Sequence, residues 1–263
     1  MSDTTQVSGN ASAKTDSPYA IEVKNVFKSF NGFQVLKGIN LNVRRGKTRV
    51  ILGPSGSGKT VIMKHMIGLL KPDRGEILID GQDITKLGSD EMLGVRRKFG
   101  MVFQQAALFD SMNVGDNVAF PLREHTDLTP DAIADMVKKK LAVVDLKDIE
   151  QKFPSELSGG MRKRVGLARA IVLEPSIVLY DEPTTGLDPL TTDSVDKMIM
   201  DASKRLEVTS VVISHDVGSA LLVADDIAVI HEGVIVEDCL PSEIRDSQHP
   251  FVKEYLHTWF RKQ

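Results

Sequence analysis

The residues with the clearest chemistry are Gly53-Pro54-Ser55-Gly56-Ser57-Gly58-Lys59-Thr60. Closely spaced glycines let consecutive backbone N–H groups converge on one anion, and a helix opening at the end of the run adds the positive end of its dipole. Lys59 has the reach for β- and γ-phosphates, and the Thr60 hydroxyl suits a Mg2+ ion bound with them. The flanks fit this chemistry. Thr48 to Leu52 is an apolar, strand-like run, and Val61 to Leu70 is helical by period. The spacing predicts a P-loop between a strand and a helix.

Four further sites could act on the same phosphates. Ile177 to Tyr180 is an apolar run ending in Asp181-Glu182, and adjacent strand residues face opposite ways. Asp181 therefore suits a Mg2+ shell, and Glu182 suits orienting an attacking water. Gln104 follows the apolar run Gly100 to Phe103 and can offer its amide to a metal, a water or a partner. His215 follows the apolar run Thr209 to Ile213; it is either a γ-phosphate donor or a structural histidine. Ser158-Gly159-Gly160 precedes the amphipathic run Arg162 to Glu174, as a second anion site or as a serine N-cap with glycines. Phe30, upstream of the P-loop, either stacks on a nucleotide base or fills the core. Asp188 lies in the turn Gly186-Leu187-Asp188-Pro189.

The elements that must hold these residues are α/β. Strand-like alternation on either side of Asn31-Gly32 predicts an antiparallel β segment at the N-terminal side. Residues 19–105 and 165–263 read as one α/β core, and 106–164 as an inserted helical subdomain. Within the latter, Thr129-Pro130 starts a helix toward Asp145, with Lys138-Lys139-Lys140 on its solvated face. Residues 1–18, rich in Ser, Thr and Asn, read as a disordered lead without the apolar segment of a signal peptide. A hairpin near Ile227 to Val236 and an amphipathic helix from Pro250 to Phe260 close the chain. A formal net charge of -3 gives no basic footprint for nucleic acid, and a lone cysteine, Cys239, suits a structural role in a reducing compartment. No apolar run is long enough to span a bilayer.

The order of these motifs resembles the ABC ATPase family from about Ile21 onward. The resemblance implies a P-loop NTPase fold of the RecA-like type, ATP and Mg2+ as ligands, and ATP hydrolysis. It makes Phe30 the base-stacking aromatic, Gly53 to Thr60 the Walker A motif and Gln104 the Q-loop glutamine. Leu157 to Met161 becomes the signature motif, with Met161 where the family usually has Gln. Asp181 becomes the Walker B aspartate, Glu182 the catalytic glutamate, Asp188 the D-loop aspartate and His215 the switch histidine. In that family two cassettes meet head to tail, each ATP lying between one P-loop and the other's signature. The stretches Gln105 to Phe109 and Met112 to Thr126, with the signature, are similar to the MlaF type, which energises phospholipid transport. This implies an integral membrane permease, an MCE-type substrate-binding protein, and a peripheral position on the cytoplasmic side of the inner membrane. Two alternatives stay open: an FtsE-like mechanical transducer and a soluble non-transport ABC ATPase.

Overall fold

The computed structural model describes residues 17–261, so 1–16 of the expected lead lie outside the described residues. In chain order the elements are β1 (Tyr19–Phe30), β2 (Phe33–Arg44), β3 (Thr48–Leu52), α1 (Lys59–Met66), β4 (Arg74–Ile79), β5 (Gln82–Asp83), α2 (Ser89–Arg96) and β6 (Phe99–Val102). There follow α3 (Val114–His125), α4 (Pro130–Val143), α5 (Gly159–Ala170), β7 (Ile177–Asp181) and α6 (Pro189–Leu206). The chain closes with β8 (Thr209–Ser214), α7 (Val217–Val223), β9 (Asp226–His231), β10 (Val234–Cys239) and α8 (Pro250–Arg261).

Two sheets form. A four-stranded antiparallel sheet has the order β2-β1-β4-β5, and a six-stranded sheet has the order β10-β9-β3-β8-β7-β6. In the first, Asn31 (φ 49°) and Gly32 (φ 81°) turn the hairpin with Phe30 opposite Phe33. Two successive left-handed residues match the twist of the strands they join, which is why Asn-Gly serves there. In the second, β9, β3, β8, β7 and β6 run parallel and β10 pairs antiparallel at the edge.

The parallel strands are predominantly apolar because both of their faces are covered, and period-two alternation divides them between two cores. Ile177 and Leu179 join β1, β2, β4 and α1 residues on one side. Val178 and Tyr180 join residues of α3 to α8 on the other. Parallel pairing also aligns the strand ends: Leu52 sits opposite Ser214, Asp181 opposite Ile213, and Val102 opposite Tyr180. The ladder runs one step beyond, with Gly53 N donating to Ser214 O (3.3 Å) and Glu182 N to Ile213 O (3.0 Å). The P-loop, Gln104, Glu182 and His215 thus leave the same edge of the sheet, where open α/β sheets bind ligands.

Helix α3 is illegible from periodicity, since Pro121 lies inside it. Its geometry is held instead by Asn117, fully buried, whose amide donates to Phe109, Met112 and Asn113 carbonyls and whose Oδ1 accepts from Phe109 N. Helix α4 starts as expected, with Thr129 Oγ1 capping Ala132 N. Lys140 departs from the solvated expectation: it is buried, and its Nζ reaches Glu174 Oε1 at 2.8 Å. A long aliphatic stem can lie along the core while its ammonium finds a carboxylate outside.

Candidate active site

The loop after β3 does what its glycines suggest. Gly56 (φ 80°) and Gly58 (φ 108°) take left-handed conformations, and Gly58 forms the cap from which α1 begins. Gly53 is needed for space: a β-carbon there would stand 2.3 Å from Ile230 O. Ser55, Gly56, Gly58, Lys59 and Thr60 line a cavity of about 320 Å3 together with Gln104, Glu182, Thr185 and His215. Four separate strand ends supply it.

Lys59 is almost fully buried, and its Nζ donates to Gly53 O (2.8 Å) and Pro54 O (3.0 Å) while standing 3.3 Å from Glu182 Oε1. Glu182 Oε2 accepts from His215 Nδ1 (2.7 Å) and Thr185 Oγ1 (3.1 Å). Glu182 has a φ of 49°, a conformation that costs a non-glycine residue on the order of 1 kcal/mol. This turn carries its carboxylate into the cavity, while Asp181 stays on the strand. Burial raises Asp181 above the usual carboxylate range, with the Glu182 charge adding to it; Lys64, Lys59 and the Thr60 hydroxyl oppose that rise. Asp181 Oδ1 is buried with no hydrogen-bond partner among the described residues. An orphaned acceptor on Asp181, with the Thr60 hydroxyl acting on the same carboxylate and Gln104 lining the same cavity as Thr60, fits a Mg2+ site whose remaining ligands come from phosphate and water. No group of three or more His, Cys, Asp and Glu suited to a metal occurs among the described residues.

Phe30 and Asp181 do not line this cavity. Phe30 stands at the hairpin end, 40% exposed, with Lys28 Nζ 5.6 Å from its ring centre. Ser158, Gly159, Gly160 and Asp188 lie elsewhere, lining a separate cavity of about 520 Å3 with Gly186 and Thr191. Ser158 caps α5 by accepting from Met161 N (3.3 Å), and Asp188 caps α6 by accepting from Leu190 N and Thr191 N (3.1 Å each). The N–H groups of Gly159 and Gly160 come at the very start of α5, where a helix supplies no internal acceptor.

Two α5 residues matter to the first cavity and do not stand out in the sequence. Lys163 is buried, its Nζ donating to Gln104 O (2.6 Å) and to Pro183 O, and burial lowers its pKa. Arg169 donates to Ala106 O and Ala107 O (2.8 Å each), two left-handed residues just after Gln104. One helix thus ties the signature segment to the turn after Gln104 and to the backbone beside Glu182. The available signal was that Lys163 falls one helical turn before the buried Leu167, an unusual place for a charge.

A third, largely apolar cavity of about 680 Å3 opens between α2, β6 and α3, lined by residues including Leu93, Phe103, Phe109, Phe120, Pro121 and Leu173. No helix among the described residues is long and apolar enough to cross a membrane.

Residues 36–185 match the family model described as ABC transporter. The chain is 45% identical over 238 residues to the "Probable ribonucleotide transport ATP-binding protein mkl" of Mycobacterium leprae, covering 90% of this chain and 69% of that protein. It therefore spans about two thirds of the mycobacterial relative's length. It is 42% identical to the intermembrane phospholipid transport system ATP-binding protein MlaF of Haemophilus influenzae, covering 90% of this chain and 89% of the other. The dimeric ATP-binding cassette MJ0796, in a post-hydrolysis state bound to ADP and Pi, superposes with a TM-score of 0.76 at 30% identity, over 84% of this chain and 98% of that one. A P-loop cavity at a parallel-sheet edge, set in a fold shared with such cassettes and a sequence shared with such transport proteins, has one source: the chain belongs to the ABC transporter family, as an ATP-hydrolysing cassette.

Proposed function

We propose that this chain is the ATPase subunit of a bacterial phospholipid transporter, working as a pair of cassettes on an integral membrane permease. The observation that carries the pairing is the separation of two cavities. The P-loop cavity and the Ser158-Gly159-Gly160 cavity share no lining residue, so one chain offers two phosphate-type surfaces and one P-loop. A second copy, related head to tail, would bring the signature of each chain over the P-loop of the other. In this reading Asp188 lies at the seam, and Phe30 stacks on the base.

The chemistry follows from the side chains. Lys59 leaves its two carbonyl acceptors for the β- and γ-phosphates, which frees Glu182 Oε1 to accept from the attacking water. His215 and Thr185 hold the other oxygen of that carboxylate in place. Thr60, Asp181 and Gln104 would hold Mg2+, which when bound neutralises charge on the phosphate oxygens. N–H groups at Gly159 and Gly160 and the Ser158 hydroxyl would meet the γ-phosphate across the seam. Met161 in place of the usual Gln leaves these backbone donors in place.

Likeness to MlaF supports phospholipid as cargo, and with it an MCE-type protein in the complex and a peripheral location on the cytoplasmic side of the inner membrane. The apolar cavity beside α3 is a suitable seat for a permease segment. The comparable likeness to the mkl protein favours a second reading, with a ribonucleotide as cargo. The deciding experiment purifies the chain with its membrane partners in mild detergent, reconstitutes the complex in phospholipid vesicles, and follows labelled lipid. ATP-dependent lipid transfer together with a co-purified MCE-type protein is expected. Transport of ribonucleotide without lipid transfer would replace the cargo, and absence of any membrane partner would overturn the transport reading.

A further inference from the structure

The peptide unit between His215 and Asp216 is held at both ends. Its N–H, on Asp216, donates to Ser214 Oγ (2.9 Å), and its C=O, on His215, accepts from the Tyr255 hydroxyl of α8 (2.7 Å). The His215 side chain is 48% exposed, so packing does little to fix it. Its aim at Glu182 Oε2 depends on where the backbone points it.

Tyr255 is itself well anchored. Phe251, one turn earlier, stacks on His231 at the end of β9 (centroids 3.7 Å apart, planes at 9°) and on the Tyr255 ring (5.5 Å, 21°). Trp259, one turn later, covers Gly218 of α7, where a β-carbon would come within 2.9 Å of the indole. The three aromatics recur every fourth residue and so share one stripe of α8, beside the buried Val252 and Leu256. Burial, with the Glu182 and Asp216 carboxylates nearby, pushes the Tyr255 phenol up to about 12, so it remains a donor near neutral pH.

We infer that Tyr255 is a positioning residue for ATP hydrolysis: its hydroxyl fixes the His215–Asp216 peptide and, through it, the imidazole against Glu182. The inference rests on the roles proposed above for Glu182 and His215. It gives α8 a direct line to the site, because the contact that matters is a single hydroxyl on a ring whose packing phenylalanine would reproduce.

The test measures kcat and KM for ATP in the membrane complex for the unaltered chain, Tyr255→Phe, His215→Ala and the double variant. Tyr255→Phe is expected to lower kcat by about three- to tenfold, as loss of one hydrogen bond would, with KM changed by less than about twofold. In the His215→Ala background the same change should cost nothing further, since there is no imidazole left to position. Full kcat in Tyr255→Phe, alongside an impaired His215→Ala, overturns the inference. An equal loss in both backgrounds also overturns it, because Tyr255 would then act elsewhere. A fully active His215→Ala would instead remove the reading of the site, and the inference with it. A second measurement is independent of turnover. In the full chain with labelled histidines, the His215 ring signals should move in Tyr255→Phe while those of His125 stay; unmoved His215 signals count against the role.

Discussion

At the residue scale the site is a balance of buried charges. Lys59 and Glu182 meet beside Asp181, and each has partners that a bound phosphate would rearrange. The same physics operates away from the cavity at Asp196 on α6, which is 3% exposed. Its Oδ2 accepts from the Ser219 hydroxyl of α7 (2.8 Å), and its Oδ1 has no partner among the described residues. Burial pushes its pKa up to about 6 from an ordinary 3.8. Between those values the folded chain keeps a proton that the unfolded chain has lost. Its contribution to stability is therefore complete below about pH 4, falls as pH rises, and is gone above about pH 6. Asp196→Asn, which has no proton to lose and keeps an acceptor for Ser219, should be more stable at pH 7.5 by up to about 3 kcal/mol and little changed near pH 4. Unfolding midpoints across that range check it; an equal gain at both ends would show that ionisation of Asp196 is not the cause.

At the scale of elements, α5 does the most. Its first turn carries the signature, Lys163 in its middle holds the Gln104 carbonyl, and its last turn holds the turn after Gln104 through Arg169 and lies against β6. That last contact has no slack: a β-carbon on Gly100 would stand 2.4 Å from Ala170 O and 3.0 Å from Pro175 Cγ. Backbone cannot yield as a flexible side chain can, so Gly100→Ala should cost about 1–3 kcal/mol. Denaturant unfolding should show a lower midpoint with an unchanged slope. An unaltered midpoint would mean that α5 and β6 are free to separate by more than their packing implies.

At the scale of the whole molecule, one cassette holds half of each proposed site. Glu182→Gln keeps the shape of the side chain and removes its charge. We expect it to bind ATP, to lose at least about 100-fold in steady-state hydrolysis, and to run as a dimer when ATP is present. Light scattering on the eluting peak reads the mass against the 28.9 kDa of one chain. Undiminished hydrolysis would take Glu182 out of the mechanism, and a monomer at saturating ATP would remove the head-to-tail arrangement. Helix α8 bears on this scale as well: it docks on its own domain, over β9 and α7, so its influence on His215 stays within one chain.

What the sequence determined by itself was whatever depends on local chemistry. The Gly53 to Thr60 loop, the Asn31-Gly32 turn and the apolar strands ending in Gln104, Glu182 and His215 are each legible within a few neighbours, because glycine conformations, capping and strand alternation are short-range. Helix α3 was not, because Pro121 argues against it locally and the buried Asn117 restores it from outside the periodic pattern. Lys140 and Lys163 look alike as lysines on helices, and only packing put one against Glu174 and the other between two carbonyls. The tertiary structure alone decided which motifs share a cavity. Parallel register sets four strand ends at one edge, while Ser158 and Asp188, equally legible as motifs, lie on a different surface. It also placed Tyr255 on the His215 carbonyl, a contact between residues forty positions apart, since a bond between distant segments exists only once the sheet has brought their ends together.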